Sequence, residues 1–178
     1  NTKNANTFTG TQGAEALESL SKNLAKNLTL REAQKKGGTS QVIKPNEILF
    51  ASTGVIGEKF PTQQIKNNTP QLVEKLRDKQ NKFIWFKAAS SIMTTDTRPK
   101  LAYEECRIWN KDIRLSAIAK GSGMISPNMA TMLAFVFTDA EIPSVFLKSL
   151  LKRAMTNTFN AITVDSDTST NDMVAIFS

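Results

Sequence analysis

The sequence contains no histidine and only one cysteine, Cys106. Without histidine, the chain cannot supply a serine–histidine–aspartate triad or the usual histidine-containing zinc sites. A single cysteine cannot form an internal disulfide, which favours a reducing compartment such as the cytoplasm. Because no histidine accompanies the thiol, we interpret Cys106 as a packed core residue rather than a nucleophile. An enzyme built on this sequence therefore needs a different base.

Long apolar runs and a basic stripe are also missing. No apolar run approaches the length that a transmembrane helix requires. The net charge is +7, but lysine and arginine are scattered and often stand beside acidic residues. They form no stripe with interleaved aromatic residues, which is the pattern typical of nucleic-acid-binding surfaces. We therefore predict no membrane span and no nucleic-acid partner.

The spacing of apolar residues predicts helices that alternate with strands. Helical spacing indicates helices at 14–27, 61–76, 82–93 and 143–158, with a break near 67–70 left open. Short apolar or alternating runs indicate strands at 47–52, 101–119, 132–137 and 159–164, the second of them a hairpin that turns at 110–112, and a further strand at the end of the chain. This succession predicts an α/β or α+β fold with a mixed sheet.

A polar loop meets an apolar strand at 120–137. The loop is rich in glycine, serine, proline and asparagine, and it runs through Ala130 and Thr131 into the apolar residues 132–137. Such a junction is typical of a buried strand with an exposed residue at its start. If the peptide bond before Thr131 is cut, the freed α-amino group, with a pKa near ~8, can take the proton of the threonine hydroxyl and make it a strong nucleophile. Most Ala-Thr pairs at a strand entrance are inert, so this chemistry alone leaves self-cleavage a hypothesis.

Several segments together carry a family resemblance. They are Ser52–Gly57 (STGVIG), Ile92–Thr97 (IMTTDT), Lys120–Leu133 (KGSGMISPNMATML), Asp167–Asp172 (DTSTND) and, near the start, Asn4–Asn6 with Thr9 and Gly10. Taken in their order along the chain, these segments resemble those of the glutamate N-acetyltransferase family. These enzymes, also called ornithine acetyltransferases, are self-cleaving enzymes of arginine biosynthesis. The sequence departs from the family's usual pattern at Thr7 and Ser166, where smaller residues are common.

The resemblance implies both a reaction and its nucleophile. The chain would cut itself between Ala130 and Thr131, and Thr131 would then carry an acetyl group from N-acetylornithine to glutamate, with its own amine as the base. Thr53 and the Gly54 amide would form the oxyanion hole.

The substrate site and the cofactors follow from the same resemblance. The residues that would bind the substrate are Thr94, Lys120 and Thr131. For Lys120 this role is chemically reasonable, because a lysine cation suits the carboxylate of an amino acid. No metal and no cofactor are implied, and acetyl-CoA stays open as a second acetyl donor.

The resemblance also implies an organisation. The full protein would be a layered α/β/β/α sandwich of the N-terminal-threonine-nucleophile type. Residues 1–130 would form the C-terminal part of an α subunit, and residues 131–178 the N-terminal part of a β subunit. The chain is therefore expected to be an internal fragment of a longer protein, and two copies of each cleaved part would pair in a heterotetramer.

Two other classes of function stay open. A related self-cleaving aminopeptidase or amidase would use water instead of glutamate as the acceptor. A non-catalytic binding module or an inactive fragment would leave the chain whole.

Overall fold

The computed structural model describes residues 11–34, 41–52, 60–76, 81–123, 132–165 and 172–178, with the side chains of the first helix from residue 14 onwards. By its internal contacts the chain divides into two compact units, Asn1–Lys79 and Gln80–Ser178. Among the helices in these ranges, none combines the length and the apolar character needed to cross a membrane.

The first unit contains two packed helices, α1 (Thr11–Gln34) and α2 (Thr62–Glu74). Both helices were predicted, and their buried residues include Leu17, Leu20 and Val73. Near the end of α1, the Arg31 guanidinium donates a hydrogen bond of 3.1 Å to the Leu76 carbonyl, just beyond α2. The break left open at 67–70 does not occur, because α2 continues through Pro70.

The strand predicted at 47–52 is wrong. Pro45–Glu47 form a short 3₁₀ turn, in which the Glu47 carboxylate accepts a hydrogen bond of 2.7 Å from the Lys44 amide. Residues 48–52 are not in a strand, and Leu49 is 73% exposed. An apolar run becomes a strand only where another strand can pair with it, and none of the described residues does so here.

The second unit is built on a four-stranded mixed sheet with the strand order β1-β2-β3-β4. Its elements are α3 (Lys82–Ser91), β1 (Lys100–Ile108), β2 (Lys111–Lys120), β3 (Leu133–Thr138), α4 (Ser144–Thr156), a 3₁₀ turn (Phe159–Ala161) and β4 (Met173–Phe177). The first three strands are antiparallel, and β3 pairs with β4 in parallel. The expectation of a mixed α/β fold is therefore confirmed. The strand predicted at 159–164 is wrong, since the chain there continues from α4 into the 3₁₀ turn.

The buried part of the sheet lies at β2 and β3. Ile118, Leu133 and Ala134 are buried there, and Leu147 of α4 is buried as well. By contrast, β1 is an edge strand and is exposed along its whole length. Cys106 lies on β1 and is exposed, so its interpretation as a packed core thiol is wrong for this chain. Sequence spacing had indicated the strand but not its place at the edge of the sheet.

The β1–β2 hairpin turns at Trp109 and Asn110, because Ile108 pairs with Lys111. The turn thus starts one residue before the predicted position at 110–112. Trp109 has a φ of 54° and is 94% exposed. Two-residue hairpin loops need a positive φ at their first position. Glycine adopts a positive φ without a steric cost, whereas the Cβ atom of tryptophan makes it unfavourable. Trp109 therefore holds a strained backbone conformation.

Replacing Trp109 with glycine should relieve this strain. We expect Trp109→Gly to raise the free energy of unfolding by about 1 kcal/mol. Urea unfolding followed by far-ultraviolet circular dichroism measures the change. Trp109→Ala is the matched control, because alanine removes the indole but keeps the Cβ atom that disfavours a positive φ. Equal stability of the glycine and alanine variants would contradict a backbone origin.

Candidate active site

Two predicted substrate-binding residues meet at the end of β2. Lys120 is the last residue of β2, and its side chain is buried, with only 2% of the residue exposed. Its Nζ donates a hydrogen bond of 3.3 Å to the Thr94 hydroxyl, which lies in the loop after α3. The two residues are 26 positions apart in sequence. The fold therefore brings together two segments that were linked only by the resemblance.

Asp96 ties the loop after α3 to the end of β2. Its side chain has no exposed surface, and its carboxylate accepts hydrogen bonds from the Gly121 amide at 2.8 Å and the Thr94 amide at 3.4 Å. The Lys100 ammonium also donates to it. Gly121, the first residue after β2, has a φ of 146°, in the region that favours glycine. Sequence analysis had assigned Asp96 no role.

Asp172 joins the beginnings of β3 and β4. It directly precedes β4, and its Oδ1 accepts a hydrogen bond of 2.7 Å from the amide of Met132, the residue before β3. The Met173 amide donates to the Met132 carbonyl at 3.0 Å. The other carboxylate oxygen, Oδ2, is buried and has no hydrogen-bond partner within the described ranges. Asp172 was likewise part of a recognised segment without an assigned role.

The buried charges of this region act on one another. Burial lowers the pKa of Lys120, although attraction to Asp96 and Asp172 works in the opposite direction. Burial raises the pKa of Asp172, against the hydrogen bond from Met132 and the charge of Lys120. For Asp96, burial also opposes ionisation, but the hydrogen bonds from Lys100, Gly121 and Thr94 outweigh it, so its pKa lies below the ordinary value. Lys120 is therefore a buried lysine that interacts electrostatically with both Asp96 and Asp172.

Comparison with known proteins identifies the family. The model of the ArgJ family matches residues 1–178. The chain belongs to the ArgJ family. The resemblance drawn from the sequence segments is thereby confirmed at the level of the family.

Curated relatives agree over nearly the whole chain. The arginine biosynthesis bifunctional protein ArgJ of Bartonella quintana is 43% identical over 177 residues, which cover 99% of this chain and 39% of that protein. The protein of the same name from Gluconobacter oxydans is 44% identical over 179 residues, covering 99% of this chain and 38% of the relative. That of Desulfotalea psychrophila is 45% identical over 172 residues, or 97% and 39% of the two chains. The chain thus spans about two fifths of the length of these relatives.

The other predicted site residues of this ArgJ-family chain lie outside the described ranges. They are Thr53, Gly54, Ala130 and Thr131. Thr131 is joined by its peptide bond to Met132, whose amide Asp172 holds. The described site therefore reaches the covalent neighbour of the predicted nucleophile. Within the described residues, no group of three or more histidine, cysteine, aspartate or glutamate side chains is placed to hold a metal ion.

Removing the charge of Asp96 should loosen the site. Hydrogen bonds to a buried charged group contribute about 1.5–3 kcal/mol, so we expect Asp96→Asn to lower the free energy of unfolding by about 2 kcal/mol at neutral pH. The folded-state pKa of Asp96 lies below its ordinary value of 3.8. This stabilisation is therefore present above pH 3.8 and is lost as the pH falls through the folded-state pKa. Urea unfolding at neutral and acidic pH measures both effects.

Asp112→Asn is the matched control for this experiment. Asp112 lies on the β1–β2 hairpin, where its exposed carboxylate is 3.9 Å from the Arg107 guanidinium. An exposed ion pair contributes roughly 0–1 kcal/mol. Equal losses of stability in the two variants would contradict the role given to Asp96. So would a stability difference between Asp96→Asn and the wild-type protein that stays the same at acidic pH.

Proposed function

We propose that the protein is a self-cleaving acetyltransferase that moves an acetyl group from N-acetylornithine to glutamate. Membership of the ArgJ family over the whole chain supports this function. Its relatives carry a name that places them in arginine biosynthesis and calls them bifunctional. The observation that carries the proposal is the contact of 3.3 Å between Lys120 and Thr94. This contact places a cation and a hydroxyl side by side, and these two groups are suited to binding the carboxylate of an amino-acid substrate.

In the first stage the chain cuts itself. The Thr131 hydroxyl attacks the Ala130 carbonyl carbon, the peptide C–N bond breaks, and the Thr131 nitrogen takes up the proton. Water then hydrolyses the resulting ester. The products are an Ala130 carboxylate and a Thr131 residue with a free α-amine beside its hydroxyl.

In the second stage Thr131 carries the acetyl group. Its amine takes the hydroxyl proton while the oxygen attacks the acetyl carbonyl of N-acetylornithine, and ornithine leaves with the proton. The amine of glutamate then attacks the acetyl ester, and N-acetylglutamate departs as the Thr131 oxygen regains a proton. Thr53 and the Gly54 amide stabilise the oxyanion, each donor contributing about 3 kcal/mol in the transition state. Lys120 faces the substrate carboxylate.

The proposed cleavage leaves the central sheet intact. β2 precedes the cleavage point and β3 follows it, yet the two strands pair from Lys120 with Leu133 to Leu115 with Thr138. This pairing supports an assembly in which both parts, 1–130 and 131–178, stay together after cleavage. We further propose that the complete protein is a layered α/β/β/α sandwich. Two copies of each cleaved part would form a heterotetramer in the cytoplasm.

The nucleophile can be tested by intact mass. We expect the complete natural chain that contains these residues to appear as two fragments that meet between Ala130 and Thr131. Thr131→Ala should give one uncut chain without transferase activity, because the attacking hydroxyl is gone. Thr131→Ser is the matched control, since it keeps a hydroxyl and should still cleave. An uncut wild-type chain, or transfer by the alanine variant, would overturn the mechanism.

The acceptor can be tested with two substrates. We expect the cleaved enzyme to consume N-acetylornithine roughly 10-fold or more faster with glutamate than without it, and to release N-acetylglutamate. Mass spectrometry of the products with isotope-labelled glutamate measures the transfer. Equal consumption without glutamate, with release of acetate, would instead indicate an amidase that uses water. A parallel assay with acetyl-CoA and glutamate determines whether acetyl-CoA is a second donor.

A further inference from the structure

The entrance of β3 is held from both sides. On one side, Leu133 pairs with Lys120 at the end of β2. On the other side, Met132 is bound to the start of β4 by two hydrogen bonds, from its amide to the Asp172 carboxylate at 2.7 Å and from the Met173 amide to its carbonyl at 3.0 Å. The amide that Asp172 holds is the nitrogen of the peptide bond to Thr131. Asp172 therefore contacts the peptide unit that carries the carbonyl of Thr131.

The Asp172 carboxylate is costly to keep in this position. Its Oδ2 is buried and accepts no hydrogen bond from the described residues, and a buried polar atom without a partner costs about 1–3 kcal/mol. A bridge between two strands needs only one acceptor oxygen, and along the strand ladders a backbone carbonyl supplies it. At the amide next to Thr131, the acceptor is instead this side-chain oxygen.

We infer that Asp172 is a positioning residue for self-cleavage. Its Oδ1 fixes the Met132 amide and thereby the peptide plane that follows Thr131, so that the threonine hydroxyl starts its attack on the Ala130 carbonyl from a restricted backbone. In this role Asp172 exchanges no proton and acts only through the Met132 amide. The inference rests on the proposed function, because it concerns the same cleavage.

Cleavage kinetics test this role. The complete chain is made by cell-free synthesis, and the conversion of precursor to fragments is followed by mass spectrometry in the soluble, folded fraction. We expect Asp172→Ala to slow cleavage about 10- to 100-fold, since small displacements of reacting groups cost this much in rate. Asp172→Asn keeps an acceptor oxygen at the same place and should cleave within about 3-fold of the wild-type rate. The serine side chain is too short for its hydroxyl to reach the amide, so Asp172→Ser should cleave as slowly as Asp172→Ala. The serine variant takes the place of the alanine variant if the latter is insoluble.

Asp139→Ala is the matched control for this experiment. The Asp139 carboxylate also accepts a hydrogen bond from a backbone amide, that of Arg114 at 2.8 Å, but it follows the far end of β3. Its removal should lower stability without changing the rate of cleavage. A wild-type rate in both the alanine and the serine variants of Asp172, or an equally slow Asp139→Ala variant, would overturn the positioning role while the proposed function stands. A cleavage rate of Asp172→Asn as low as that of Asp172→Ala would also overturn the positioning role. Failure of the wild-type chain to cleave would instead overturn the proposed function itself.

Discussion

The geometry of the site depends on one buried carboxylate, that of Asp96. Its two oxygens accept hydrogen bonds from the amides of Thr94 and Gly121 and from the Lys100 side chain. Because Thr94 and Gly121 belong to different segments, this single group fixes the loop after α3 against the end of β2. The Thr94 hydroxyl and the Lys120 ammonium meet as a consequence. Satisfied buried networks of this kind specify one arrangement, whereas a partly satisfied network costs stability.

The same network places a cation where water is largely excluded. Lys120 is buried, and burial alone disfavours its charged form. The charges of Asp96 and Asp172 partly offset this cost. The two carboxylates differ in their hydrogen-bond donors and in the direction of their pKa shifts. Asp96 has several donors and remains easily ionised, whereas Asp172 has the Met132 amide and a raised pKa. The surroundings of Asp96 thus favour its ionised form, whereas burial of Asp172 works against ionisation.

Sequence alone predicted the long periodic elements and the residues of the recognised segments. Both helices of the first unit, the β1–β2 hairpin, β3 and α4 follow from apolar spacing, because each buries a continuous face or strand. The runs at 47–52 and 159–164 were misread, since a short apolar run forms a strand only when a partner strand is adjacent. Asp96 and Asp172 stood in recognised segments, but their roles depend on which amides the fold brings to them. That information lies in the register of β2, β3 and β4, which no local pattern in the sequence contains.

The position of the proposed cleavage in this sheet explains how a chain can gain a reactive terminus without losing its structure. A cut between Ala130 and Thr131 falls in the connection from β2 to β3, so no ladder hydrogen bond between the described strands is broken. After such a cut the two parts would still be joined along the β2–β3 pairing, and the second part would also be held through β4. A new chain end normally frays because nothing restrains it. Here the first described residue after the cut, Met132, is bound through both its amide and its carbonyl. Once the chain is cut, these hydrogen bonds across the sheet would supply the restraint that the continuous chain supplied before, one residue away from the proposed nucleophile.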